Sequence, residues 1–163
     1  MKKKSAKPKS EAALIADQLR RAFNGQAWHG PALLELLKDI DAATAAAHPI
    51  PNAHSIWELL LHIAAWDGAA LSRIAGKTAK LKGLQNFPQV PEPTEQAWQA
   101  AIAASKRNHD LLVATVGALS SKRLRDQCPG KNYDLYHLLH GVVQHELYHA
   151  GQIAILKKAA GIE

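Results

Sequence analysis

Apolar residues recur at intervals of three and four along most of this chain, the repeat of helices that bury one face. Leu14 or Ile15, Leu19 and Phe23 form the first such stripe, with Asp17, Arg20 and Arg21 off it. Ser10 stands where its hydroxyl can accept from a free amide of the first turn, and Asn24-Gly25 ends or bends the run. Gly30-Pro31 restarts a helix, since proline suits a first turn, and Leu33, Leu34, Leu36, Leu37 and Ile40 supply its apolar positions. His48-Pro49-Ile50-Pro51-Asn52 is a break. Ser55-Ile56-Trp57-Glu58 has the wording of a capping box and opens a helix that reaches to about Ala75, with Gly76 as its end. From Ile56 to Ala65 only Glu58 and His62 are polar. A helix apolar nearly all round is buried on several sides, so His62 is expected inside, near Leu59, Ala65 and Trp66.

The helical repeat lapses over 77–93, where Gly83, Pro88, Pro91 and Pro93 interrupt it. Extended, that stretch reaches roughly 55 Å, enough to run back along a whole helix. The helices on either side can then lie parallel, where a short hairpin would force them antiparallel. Thr94-Glu95 opens the next helix, to about Leu119, with Trp98, Ile102, Leu112, Val113 and Val116 as its apolar positions. After a loop holding Cys128-Pro129-Gly130, Asn132 or Asp134 caps a last helix that runs to Ala160. The sum is an all-α chain, a four-helix bundle with a long crossover between its second and third main helices. No internal repeat is apparent.

Composition narrows the class. A chain of 163 residues, 47% hydrophobic, rich in alanine and poor in β-branched residues, suits one all-helical domain. Five of the six net positive charges are Lys2, Lys3, Lys4, Lys7 and Lys9, so residues 1–10 are expected to be a disordered basic arm and 11–163 a single domain. The basicity belongs to a tail and not to a surface stripe, which argues against a nucleic-acid partner. Asp17, Arg20 and Arg21 interrupt any apolar core of a signal peptide, and no run approaches the ~18 residues of a membrane span. The single cysteine, Cys128, excludes an internal disulfide and fits a reducing compartment, so a cytoplasmic protein without membrane contact is expected.

The chemistry gathers in His145-Glu146-Leu147-Tyr148-His149. Two histidines four apart share one helical face, where both rings can reach a single divalent ion. The pair alone is weak evidence, and so is His62, because one histidine on an apolar helix is more often a core residue bonded to backbone. Together, three buried rings can take one borderline divalent metal as their shared partner. Glu146 is a candidate base, with a solvated helix carboxylate as the preferred reading. Glu58 lies one turn before His62 and could orient its ring, although capping already explains it. Tyr148 and Gln152 read as core packing and ordinary polar contacts, His137 and His140 as surface or hydrogen-bonded histidines. His29, His48, His54 and His109 receive no role. Cys128 reads as a loop thiol and not a nucleophile. Trp28, Trp57, Trp66 and Trp98 read as packing residues, one of them free to wall a cleft.

Trp57-Glu58-Leu59-Leu60-Leu61-His62-Ile63-Ala64-Ala65-Trp66, followed far downstream by His145-Glu146-Leu147-Tyr148-His149-Ala150-Gly151-Gln152-Ile153, resembles the DinB-like superfamily. The likeness covers nearly all of the chain past the tail, including the Trp28 to Pro31 turn and His54-Ser55-Ile56-Trp57. The resemblance implies an up-down-down-up bundle of the DinB/YfiT type. It implies a metal held by one histidine of the second helix and two of the fourth, here His62, His145 and His149. Zinc or nickel is the expected ion, and iron or copper also suits three imidazoles. Glu146 departs from the Asn or Asp common in the family and completes a His-Glu-x-x-His string, the zinc-protease signature. That signature needs a further His or Glu downstream, and only the terminal Glu163 follows His149, so the protease reading is set aside.

The family resemblance implies two activities, transfer of a low-molecular-weight thiol such as bacillithiol, mycothiol or glutathione, and metal-dependent hydrolysis. Thiol transfer to a small-molecule electrophile is the leading expectation, because three protein ligands leave a position open and no protein nucleophile stands beside them. The competing class is a non-enzymatic metal-binding helical module. A homodimer is a further expectation, since bundles often leave an apolar helix face for a partner.

Overall fold

The computed structural model describes residues 9–162, and no strand occurs among them. Four long helices, α1 (Glu11–Asn24), α4 (Ile56–Ile74), α5 (Glu95–Gly117) and α6 (Leu135–Ala159), are joined by two short ones, α2 (Leu33–Leu36) and α3 (Ala42–Ala46). Of the basic arm expected over 1–10, residues 1–8 lie outside the described residues.

Each long helix starts where a short polar side chain can satisfy a free amide. Ser10 accepts from the Ala13 amide, Thr94 from Ala97 and Asp134 from His137. At α4 the box is complete: Ser55 Oγ accepts from the Glu58 amide and Glu58 Oε2 from the Ser55 amide. The helix ends on Gly76, whose φ of +82° lets the chain turn back while its amide bonds the Arg73 carbonyl and the Lys77 amide bonds Ser72.

The single helix expected after Gly30-Pro31 is instead α2 and α3. Asp39 takes a left-handed φ of 62°, and the Asp41 carboxylate caps the Thr44 amide at 2.8 Å, so a side-chain bond restarts the helix. The apolar positions still bury, Leu33, Leu36, Leu37 and Ile40 among them. The Ile40 carbonyl accepts from buried Trp98 Nε1 at 2.7 Å, which pins this segment to α5.

Contacts along the helices give their directions. Trp57 packs on Trp98 with ring centres 5.0 Å apart, and two to three turns on Asn108 Nδ2 donates to the Ala64 carbonyl at 2.8 Å. Both numbers rise together, so α4 and α5 are parallel. Phe23 stacks on His109 while Gly117 sits against Ala16, which makes α1 and α5 antiparallel. His62 meets His149 while Arg73 shares a pocket with Tyr133, which makes α4 and α6 antiparallel. The bundle is therefore up-down-down-up, the arrangement that the long crossover allows.

The core lies in two layers, one around Trp57, Trp98, Leu60 and Ile153, the other around Leu19, Leu112, Leu124 and Leu139. Of the four tryptophans read as packing residues, Trp57 and Trp98 are fully buried and Trp66 is half-buried. Trp28 is fully exposed, because it lies in the turn beyond Gly25 where Gln26, with φ 59°, carries the chain outside the bundle. No helix among the described residues is long and apolar enough to cross a membrane.

Candidate metal centre

The crossover supplies what the helices alone do not. It leaves α4 at Gly76 and brings Asn86 and Phe87 down onto the middle of that helix. The Asn86 carbonyl accepts from His62 Nδ1 at 2.7 Å, and its side-chain oxygen accepts from Trp66 Nε1 at 2.9 Å. Phe87 lies between two imidazoles, stacked on His62 at 4.1 Å and on His54 at 3.8 Å. His62 is thus fixed in ring plane and in tautomer, with its proton on Nδ1 and a lone pair on Nε2.

Across from it, α6 presents His145 and His149. His149 Nδ1 donates to Oε1 of Gln152, one turn further along, so its Nε2 also carries a lone pair. His145 Nε2 stands between the two, 3.0 Å from Nε2 of His62 and 3.1 Å from Nε2 of His149. A single proton on His145 Nε2 could be donated to only one neighbour and would leave the other lone pair without a donor. A cation at the common centre satisfies all three at once. Nitrogens bound tetrahedrally at 2.0–2.1 Å stand about 3.3 Å apart, close to the spacing found here. The donor set therefore fits a metal ion that accepts imidazole nitrogen.

The electrostatics agree. His62 and His149 are buried and His145 is half-buried. Burial first, then the neighbouring rings, pushes the His145 pKa down to about 3. Burial likewise lowers His62 and His149. Three neutral rings at neutral pH present lone pairs without competition from protons. Trp66 flanks His145 with ring centres 5.6 Å apart, and a pocket of about 210 Å³ opens there, lined by Trp66, Arg73, Tyr133, His137 and His145 among others. All three histidines expected as ligands converge, and no Cys, Asp, Glu or further His joins their group among the described residues.

Other expectations need correction. Glu146 is not a solvated carboxylate and does not face the imidazoles; it is 1% exposed, turned into the bundle interior. There it lies 3.0 Å from Nδ1 of His109, which is also 3.2 Å from Asp67. His109, given no role from the sequence, is the centre of this second buried group. Burial alone would lower the His109 pKa, but its bonds to Asp67 and Glu146 outweigh that and raise it to about 10. Burial raises both carboxyls, Glu146 to about 8, which favours a proton on the pair beside an imidazolium. Tyr148 is exposed, not packed in the core, with its ring edge toward His149 at the rim. Glu58 bonds Ser55 and His48 and takes no part in orienting His62. Cys128 is a buried loop thiol whose pKa burial pushes up, in keeping with its reading as a non-nucleophile.

Asn86 and Phe87 were invisible in the sequence because no periodicity sets the register of a long crossover. Gln152 had a signal, its place three residues after His149 on the same face.

A bundle of four long helices with three imidazoles converging between its second and last long helices defines the class: a helical protein with a three-histidine centre that could bind a metal. The profile of the DinB superfamily matches residues 27–153, and the chain belongs to that superfamily. No curated protein and no solved structure matches it.

Proposed function

We propose that this chain binds a divalent metal ion, zinc or nickel, through Nε2 of His62, His145 and His149, and transfers a low-molecular-weight thiol to a small electrophile. The observation that carries the reading is the convergence of three lone pairs with no fourth protein donor among the described residues, beside a pocket that reaches His145. A structural zinc would take a fourth protein ligand. When bound, the ion supplies a Lewis acid that favours the thiolate form of a thiol in the open position.

The protein's own groups do the rest. The Asn86 carbonyl and Gln152 hold two rings in the ligating tautomer. Phe87 covers the His62 face, and Trp66 walls the pocket against water. In the transfer, a sulfur–carbon bond forms as the bond to the leaving group breaks, and the thiol proton departs with that group. The alternative, metal-dependent hydrolysis, is favoured less because its candidate base, Glu146, points into the Asp67–His109 network.

Protein purified without added metal should carry about one equivalent of zinc or nickel by elemental analysis, and His62→Ala should carry little. The loaded protein should conjugate at least one of glutathione, cysteine, bacillithiol or mycothiol to monochlorobimane, releasing chloride. No metal retention, or no metal-dependent conjugation with any thiol, overturns the proposal.

A further inference from the structure

Arg73 sits in the last turn of α4 and is 2% exposed. Buried arginines almost always have an anionic partner, and the guanidinium cannot lose its proton to avoid the cost of burial. None of the ion pairs among the described residues includes Arg73. Its Nη2 donates to the Ala79 carbonyl at 2.8 Å, and its buried Nε has no partner. The Trp66 ring, 5.5 Å from the guanidinium carbon, and the negative end of the α4 dipole compensate only in part. The nearby Cys128 thiol is held protonated by burial and brings no negative charge. A buried cation without a counter-ion thus lines the same pocket that His145 lines from the metal-centre side.

The two ends are close. Trp66 lies 5.5 Å from the Arg73 guanidinium carbon and 5.6 Å from the His145 ring centre, so that carbon is within about 11 Å of the imidazole. A metal–sulfur bond takes up about 2.3 Å and a charge-assisted hydrogen bond about 2.8 Å, which leaves room for a few carbons between. The pocket, about 210 Å³, holds the volume of roughly seven waters, room for the short arm of a thiol that joins its sulfur to an acid group.

We propose that this pocket selects thiols carrying a carboxylate, which pairs with Arg73 while the sulfur is turned toward the three-histidine centre. The inference rests on the thiol-transfer reading and names its substrate class. The planar guanidinium suits a carboxylate in two-pronged pairing, and the apolar wall of Trp66 and Leu138 suits the carbons between.

The test uses the full chain loaded with cobalt(II), whose thiolate charge-transfer absorption reports sulfur ligation without any turnover. 3-Mercaptopropionate and its methyl ester are titrated at pH 7. The acid should bind at least tenfold tighter than the ester, and Arg73→Gln should abolish that difference. Equal affinities in the wild type overturn the role of Arg73 alone, as does a preference that survives Arg73→Gln. Absence of the absorption with both thiols removes the thiol reading and this inference together. Should Arg73→Gln fail to fold, the acid-against-ester comparison in the wild type still decides.

Discussion

Replacing Glu146 with glutamine separates a proton-sharing core group from a catalytic base. In metal-free protein the Glu146–Asp67 pair holds a proton at neutral pH, with the Glu146 pKa raised to about 8 by burial. Unfolded, a glutamate titrates near 4.3. Between those values the folded state binds more protons than the unfolded state, so stability falls as pH rises, by about 1.4 kcal/mol per pH unit for one retained proton. His109, raised to about 10, adds a fall of the same sign above its unfolded value of about 6.5. A glutamine in place of Glu146 cannot titrate, yet its amide can donate to Asp67 and accept from His109. Glu146→Gln should therefore match the wild type within about 1 kcal/mol at pH 6, where the wild-type pair is protonated anyway. From pH 6 to pH 8 the wild type should lose roughly 2–3 kcal/mol more than the variant. Guanidinium unfolding of both chelator-treated proteins at the two pH values measures the difference. The double change with Asp67→Asn should cost a further 3–5 kcal/mol, because it strips the buried imidazolium of its anion. Parallel pH dependences for wild type and Glu146→Gln would refute the shared proton, and collapse of the variant at pH 6 would show that Glu146 is buried as an anion.

Three further outcomes follow from the same geometry. Gln152→Leu, which frees the tautomer of His149, should weaken zinc binding 10–100-fold in competition with a chelator, while metal-free stability changes by no more than about 1.5 kcal/mol; an unchanged affinity would deny Gln152 its orienting role. Because all three ring pKa values are lowered, His145 to about 3, the folded site keeps its lone pairs as pH falls. Zinc affinity should then fall less between pH 7.5 and 6 than it would for three ordinary imidazoles, whereas the rings' own contribution to metal-free stability, opposite in sign to that of Glu146, declines as pH drops below about 6.5, where the unfolded rings gain protons that the folded ones refuse; an affinity loss as steep as that of ordinary imidazoles contradicts the lowered values. Leu60→Ala, fully buried beside Trp57, should cost about 2–5 kcal/mol in chemical unfolding. Leu111→Ala on the exposed side of α5 should cost no more than about 0.5 kcal/mol, and similar costs for the two would misplace the core.

What the sequence disclosed was what short-range physics controls. Ser10, Ser55, Thr94 and Asp134 each bond an amide three residues on, so their helix starts needed no tertiary information. That His145 and His149 share a face and that His62 lies inside was legible from spacing and from an apolar helix, but grouping the three came from the family resemblance. The helix expected after Gly30-Pro31 failed at Asp39 because a left-handed residue and an Asx cap outweighed a good run of leucines, and stripe counting does not weigh such side-chain bonds. The largest miss, Glu146, has a different cause. One residue turns a helix by about 100°, so the position after a ligand points away from the metal, but the pattern alone does not say into what. α6 is packed by α1, α2 and α4, with His109 of α5 reaching it as well, and so has interior on more than one side. A carboxylate on such a helix survives only with partners. Those partners, Asp67 and His109, lie on two other helices whose relative rotation the crossover sets. The Asn86 and Phe87 contacts that fix His62 depend on the same crossover, so the contacts that sequence left dark are those a single long loop assembles.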